Sequence, residues 1–329
     1  MDLSTLLMTP FLGQAAWLWL TFLALVIALL AFDLGVLHRT QREIPVTESL
    51  MLSGGYIAIG LAYGLWVWNQ LGATSAAEYY TGYLIEKSLS MDNVFVIAMI
   101  FSYLAIPRAL QHRVLFWGII GVIVLRAIMI GLGATLVSQF SWILYLFGAF
   151  LLLTGLKMLF ASSKPVDLAS NPMLKWLRRH MRVTDELHGN QFFVRKPDAD
   201  GSMRRYATPL FLALILIETA DLIFAVDSVP AIFVITQDPF IVYTSNIFAI
   251  LGLRALYFAL SAMIDRFEYL KYALALVLVF IGSKIFLVNI TGKFPSWVSL
   301  SVPVGLITGG VVFSWLKTRK TAVAPAGGM

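Results

Sequence analysis

Six acids, Asp33, Glu86, Asp92, Glu218, Asp221 and Asp227, and five bases, Lys87, Arg126, Lys157, Arg254 and Lys284, stand inside long apolar runs of this chain. Charge in such a run is costly in hydrocarbon and characteristically marks function. Glu86 and Asn93 are seven residues apart, as are Asp221 and Ser228, so each pair shares one helix face; Glu218 and Asp221, three apart, share a face too. Asp92 and Asp227 fall about 100° around an ideal helix from their Asn or Ser neighbours. All seven could converge only where a helix is locally unwound. Pro230 predicts such a place, because it lacks an N–H and clashes with the carbonyl of residue 226. The donors, Glu86, Asp92, Asn93, Glu218, Asp221, Asp227 and Ser228, offer only oxygen, joined by any freed backbone carbonyl. Oxygen sets suit Mg²⁺, Ca²⁺ and Mn²⁺ rather than zinc or copper. Met91 and Met99 stand near the acids; a thioether would favour Mn²⁺, although methionine more often fills gaps. The competing reading is an internal ion-pair network, for which Arg126 and Arg254 are the natural partners. Lys157 and Lys284, near helix ends, can snorkel.

The elements that hold these residues follow from composition. The chain has 329 residues, 59% of them hydrophobic and 13% charged, with a mean hydropathy of +0.83. It holds 0 cysteines, which excludes a disulfide framework, a thiolate metal site and a dithiol redox centre. Nine segments are long and apolar enough to span a bilayer: 12–36, 50–71, 80–104, 114–136, 142–160, 208–236, 241–263, 270–290 and 298–316. The first is read as a retained helix, since no basic stretch precedes it. Connections alternate in charge. One set carries Arg39, Arg42, Arg108, Arg113, the 161–207 segment, Arg266, Lys271, Lys317, Arg319 and Lys320; the other holds a single basic residue, Lys293. By the positive-inside rule the N-terminus is outside and the C-terminus cytoplasmic. The net charge of +6 is therefore topogenic, and nucleic acid is not an expected partner. With these depths, Asp92 and Asp221 fall near mid-membrane, Glu86 and Asp227 toward the outer side, and Glu218 toward the cytoplasm.

The two halves repeat. "EKSLSMDNV" at 86–94 matches "DLIFAVDSV" at 221–229, pairing Glu86 with Asp221, Asp92 with Asp227 and Asn93 with Ser228. "VLRAIMI" at 124–130 matches "GLRALYF" at 252–258, and "QFSWILYLFGAFLLLTGLKMLF" at 139–160 matches "RFEYLKYALALVLVFIGSKIFL" at 266–287, pairing Gly155 with Gly282. A second register, Glu86 with Glu218, also stays open. Because 80–104 and 208–236 run in opposite directions, the repeat is three helices of inverted topology, a plan characteristic of secondary transporters. The organisation is then two helices over 12–71, a first repeat over 80–160, a cytoplasmic loop over 161–207, a second repeat over 208–290, a last span over 298–316 and a tail over 317–329.

In the loop, Met173, Leu174, Leu177 and Met181 have helical spacing and predict a short amphipathic helix lying on the membrane. "FFVRKPDADGSMRRYATP" reads as a hairpin turning at Asp200-Gly201, and "TAVAPAGGM" as a disordered end. No P-loop, H-E-x-x-H, C-x-x-C or dinucleotide fingerprint is present, so an enzyme is not expected.

"TGYLIEKSLSMDNVFV", "FGAFLLLTGLKM" and "FAVDSVPAIF…DPFIVYTSNIFAILGLRALYF" resemble the TerC family of integral membrane proteins, closest to its Alx-type members of bacterial inner membranes. The resemblance covers about residues 12–316. It implies an all-α, nine-helix fold related to the LysE transporter superfamily, and a role in manganese efflux carried by the acids of the two repeats. No permanently bound cofactor is implied; Mn²⁺ is cargo, favoured over Ca²⁺ or Mg²⁺. Expected is an alternating-access exporter in the inner membrane, with Asp92, Asp221 and Asp227 central, Glu86 at the outer exit and Glu218 at the inner entry. The alternative is a non-transporting stress-response scaffold, of the redox-modulator or tellurium-resistance type, that works through its basic loop. Partner proteins other than the bilayer are not specified by the sequence.

Overall fold

Apolar sequence this continuous leaves the backbone no water to bond to, so it closes its hydrogen bonds within helices. The computed structural model describes residues 7–35, 45–140, 142–160, 171–198, 202–260, 270–291 and 296–322. It is all-α apart from two small hairpins. The helices are α1 (Ala16–Gly35), α2 (Val46–Tyr103), α3 (Arg108–Gln139), α4 (Ile143–Phe160), α5 (Pro172–His180), α6 (Pro209–Ile235), α7 (Pro239–Ile250), α8 (Leu253–Leu260), α9 (Leu270–Thr291) and α10 (Ser296–Ala322). Among the described residues, seven stretches are long and apolar enough to cross a bilayer: Ala16–Asp33, Thr47–Ser90, Arg108–Gln139, Ile143–Phe160, Pro209–Ile235, Pro239–Ala259 and Trp297–Ser314. Large apolar side chains such as Ile27, Leu132, Leu153 and Phe160 stay exposed, whereas Glu86, Arg126 and Asp221 are buried. This polarity, oily outside and charged inside, is that of a multi-pass membrane protein.

Breaks occur where the sequence permits them. α2 carries 58 residues but turns at Gly72, whose φ of 90° and ψ of 176° suit a residue without a Cβ. The expected spans 50–71 and 80–104 are the two arms of this one bent run. The expected span 241–263 is interrupted at Leu251-Gly252, between α7 and α8; Gly252 has φ 81°. Its Cα lies so close to Tyr56 that a Cβ there would come within 2.7 Å of the ring side chain. α6, in contrast, runs unbroken through Pro230. The unwinding expected there does not occur: one missing hydrogen bond is tolerated while neighbouring helices hold the segment.

The first span starts later than expected. Residues 10–15 form a hairpin, β1 (Pro10–Phe11) with β2 (Gln14–Ala15), turning through Leu12 and Gly13 at φ 47° and 85°. It is pinned by Gln14 Nε2 donating to Asp238 at 2.7 Å and Trp19 Nε1 donating to the Phe11 carbonyl at 2.9 Å. Asp238 also caps α7, accepting from the Phe240 N–H at 2.9 Å.

Between α4 and α6 lie α5 and the hairpin β3 (Phe193–Pro197) with β4 (Met203–Ala207), registered from Phe193↔Ala207 to Pro197↔Met203. Asn171 caps α5 through the N–H groups of Met173 and Leu174. Leu174 and Leu177 do form an apolar face, but they are buried in the core with Leu210, Ala213 and Ile217 of α6. The face expected to lie on lipid is thus spent on protein. Residues 161–170, the Asp200-Gly201 turn and 323–329 lie outside the described residues.

α4 and α9 pack antiparallel with their backbones in contact. A Cβ on Gly155 would meet the Ala275 carbonyl at 2.7 Å, and one on Gly282 would meet the Gly148 carbonyl at 2.6 Å. Small residues permit this approach where no hydrophobic effect drives helices together. Gly282→Leu should therefore cost about 1–3 kcal/mol through overpacking, read as a lower melting temperature in detergent. Gly305→Leu on α10, where a Cβ meets nothing within 4 Å, should leave it unchanged; equal effects would show that the α4–α9 contact is not tight.

Candidate functional site

The second arm of α2 and α6 cross antiparallel in the middle of the bundle, and their polar residues meet at the crossing. Asn93 Nδ2 donates to Asp221 Oδ1 at 3.1 Å. In the reciprocal contact, the Ser228 hydroxyl hydrogen-bonds Glu86. The seven-residue spacing has aimed both residues of each pair inward, as helical periodicity requires.

α3 inserts Arg126 between the two acids. Its Nε and Nη2 donate to Asp221 Oδ2 and Oδ1 at 3.1 and 2.9 Å. Nη1 donates to Glu86 and also reaches Ser228 Oγ at 3.2 Å and Asn246 Oδ1 at 3.0 Å. Asn246 of α7 turns its amide to Glu86 Oε2 at 3.3 Å. Arg126 is 1% exposed, Glu86 0% and Asp221 5%, so solvent does not share the load. A guanidinium is suited to this: planar, always charged, and able to hold one carboxylate in a two-pronged grip while reaching another. Removing one partner from such a buried pair costs about 3–5 kcal/mol, because the remaining charge is stranded.

The expected ligands are not all gathered here. Glu86 was placed at the outer exit by depth; it stands instead in the centre with Asp221, because the helices cross at that level. Glu218, one turn from Asp221, faces Gly118 and Gly121 of α3, and a Cβ on Gly121 would collide with its carboxylate. Its Oε2 is buried without a hydrogen-bond partner, as is Asn93 Oδ1. Asp227 points elsewhere, to Thr154 and Lys157 of α4. With α6 unbroken, the 100° offset keeps it off the central face. The Asp92 side chain lies outside the described residues. Among the described residues, no group of three or more His, Cys, Asp or Glu is placed to hold a metal ion; the centre is two carboxylates with two amides, a hydroxyl and an arginine. Met99 is packed into the apolar core and acts as filler.

Two further buried cations had no assigned partner in the sequence. Lys87 Nζ donates to the carbonyls of Ala249 and Leu251 at 3.0 and 3.5 Å. These are the carbonyls freed where α7 ends, a position that favours a cation. Arg254 on α8 pairs with Asp33 on α1. Asn246 was missed as well, although Thr244, Ser245 and Asn246, three polar residues within an apolar run, were a visible signal.

A cavity of about 10 Å³ beside the centre is lined by Asn93, Ile97, Val122, Ile217, Ala220, Asp221, Phe224 and Leu253, room for about one water-sized particle. A second, of about 170 Å³, is lined by Val96, Ile100, Asn171, Leu216, Thr219, Ala220, Ile223 and Phe224. Ala220 and Phe224 line both, so the two cavities adjoin at these side chains.

Residues 71–322 match the family model of the integral membrane protein TerC family. An uncharacterized membrane protein of Rickettsia bellii (strain RML369-C) is 46% identical over 299 residues, covering 91% of this chain and 97% of its own. A membrane protein of Myxococcus xanthus is 45% identical over 309 residues, with 94% and 95% covered. A protein of Escherichia coli (strain K12), provisionally named a membrane-bound redox modulator, Alx, is 47% identical over 312 residues, with 92% and 95% covered. No solved structure matches the chain. With so much of the chain matched by one family and by full-length relatives, this protein belongs to the TerC family of integral membrane proteins.

Proposed function

We propose that this protein is a divalent-cation transporter of the bacterial inner membrane that exports Mn²⁺ by alternating access. The observation that carries the reading is the meeting of Glu86 and Asp221, both buried, on crossing helices in the membrane interior. Apart from Arg126, their surroundings, Ser228, Asn93 and Asn246, add only hydroxyl and amide groups. Such a set suits a hard cation. In this reading the cavity of about 170 Å³, which adjoins the smaller one at Ala220 and Phe224, is the vestibule by which the cation would enter. Mn²⁺ over Ca²⁺ or Mg²⁺, and export over import, rest on the family resemblance; the cytoplasmic placement of the vestibule rests on the positive-inside pattern.

Alternating access has its own support in the contacts. The alignment that pairs Glu86 with Asp221 and Asn93 with Ser228 turns the Asn93–Asp221 contact into the Ser228–Glu86 contact. The alignment that pairs Gly155 with Gly282 also pairs Gly148 with Ala275, and turns the Gly155–Ala275 contact into the Gly282–Gly148 contact. Contacts that map onto one another in this way are what an inverted repeat about an in-plane axis produces.

A second reading, a scaffold, is favoured by one feature. A cavity of about 490 Å³ on the 171–207 segment is lined by Arg179, His180, Met181, Arg182, Phe193, Arg205 and Ala207. The name of the Escherichia coli relative suggests redox control. This chain has 0 cysteines, so it cannot exchange disulfides; a redox effect could arise indirectly, through manganese supply.

Cells expressing the wild type should accumulate less Mn²⁺ than cells without it, and Glu86→Gln and Asp221→Asn should abolish the difference at matched membrane levels. Asp227→Asn, whose carboxylate faces α4, should retain most of the effect. If all variants behave as wild type, the centre does not carry the cation. Neutralising Arg179, Arg182 and Arg205 together should leave Mn²⁺ export within about twofold of wild type; its loss with normal insertion would favour the scaffold.

A further inference from the structure

Every atom that the Arg126 guanidinium holds is an oxygen: one of Glu86, both of Asp221, and those of Ser228 and Asn246. A hard dication takes the same kind of ligand, and a guanidinium has donors and no acceptor. The two cations therefore compete for one set of lone pairs, and like charge keeps them apart. We propose that Arg126 is a tethered counter-cation that leaves the Glu86–Asp221 centre when the transported dication enters and returns when it departs. The proposal rests on the transport reading above and adds how the site is emptied and coupled to movement.

Three features of the chain support the exchange. Arg126 is rooted on α3, whereas the oxygens it holds come from α2, α6 and α7. Its departure would untie α3 from those three helices, so loading and helix movement become one event. Second, Glu218 offers a place to go. It lies one turn from Asp221 on the same face of α6, with Oε2 buried and unpartnered, beside Gly121, where no side chain blocks the way. Gly121 lies N-terminal to Arg126 on α3, the direction in which helical side chains lean. Third, the arginine that the sequence repeat pairs with Arg126 is Arg254, and it is engaged by Asp33 of α1. The centre thus receives one guanidinium for two carboxylates. Two arginines would neutralise it and remove its attraction for a cation; none would leave a dication with no competitor and slow its release.

The test uses the full chain: Mn²⁺ binding in nanodiscs and Mn²⁺ flux in proteoliposomes. Arg126→Gln should bind Mn²⁺ at least about tenfold more tightly than wild type, a gain of about 1.4 kcal/mol, while its flux falls. Arg126→Lys supplies a point charge that cannot grip both acids at once; it should bind more tightly than wild type, though less so than Arg126→Gln, and keep part of the flux. Glu218→Gln should weaken binding when Arg126 is present and change nothing in the Arg126→Gln background, because its effect passes through the arginine. Equal or weaker Mn²⁺ binding by a folded Arg126→Gln overturns the proposal. If that variant does not insert, Arg126→Lys with affinity no tighter than wild type overturns it instead. A Glu218→Gln effect of equal size in both backgrounds overturns the route through Glu218. A wild type that neither binds nor moves Mn²⁺, Ca²⁺ or Mg²⁺ overturns the transport reading itself, whereas a transporting wild type with unaltered variant affinity overturns only the role of Arg126.

Discussion

A charged side chain in the membrane interior must find its partners within the protein, because hydrocarbon supplies none. Arg126 is the strongest case here: its guanidinium is 1% exposed and reaches Glu86, Asp221, Ser228 and Asn246. Those residues come from three different helices, so satisfying one arginine fixes how α2, α6 and α7 stand relative to α3. The antiparallel crossing of α2 and α6, the inward aim of the seven-residue pairs and the polar stripe on α7 all serve that requirement. Replacing the whole cluster by apolar residues of the same volume need not destabilise the fold, since buried ion pairs seldom repay their desolvation. Their retention is better explained by a task that needs charge in this place.

The same requirement explains the helix break at Leu251-Gly252. Ending a helix inside the bundle exposes carbonyls that must be satisfied. Lys87 meets this need at Ala249 and Leu251, and its neighbour in sequence, Glu86, faces Arg126. One turn of α2 thereby serves both the carboxylate centre and the capping of α7. Arg254, just past the break, is held by Asp33, so α1, which the repeat does not include, supplies the anion that keeps the second arginine out of the centre.

The sequence made much of this legible and left out what depends on crossing points. Apolar runs gave the helices, and the spacing of Glu86 with Asn93 and of Asp221 with Ser228 gave the inward faces. The 100° offset of Asp227 was also visible, yet it was read as requiring unwinding at Pro230. A proline breaks a helix only if nothing else holds it, and α6 is packed on both sides at that level, with Val229, Ile232 and Phe233 in one apolar cluster and Ala231 in another. Depth counted along a helix places Glu86 toward the outer side. α2 bends at Gly72, and the level at which two helices cross cannot be counted from their ends. The apolar stripe of α5 is legible in its spacing but not its partner, since periodicity tells which residues seek cover and not what covers them.

The satisfied and unsatisfied acceptors form a pattern that bears on which atoms are meant for something mobile. The freed carbonyls of α7 have Lys87, Asp33 has Arg254, and Glu86 with Asp221 has Arg126. Two strong acceptors nearby remain without a partner, Asn93 Oδ1 and Glu218 Oε2. Both adjoin Asp221, one on α2 and one on α6, and Asn93 lines the water-sized cavity behind Ala220 and Phe224. Both stand beside the charged centre. A polar group left unpaired in a low-dielectric interior costs about 1–3 kcal/mol, and two such costs beside the carboxylates are what a site meant for a cation would carry.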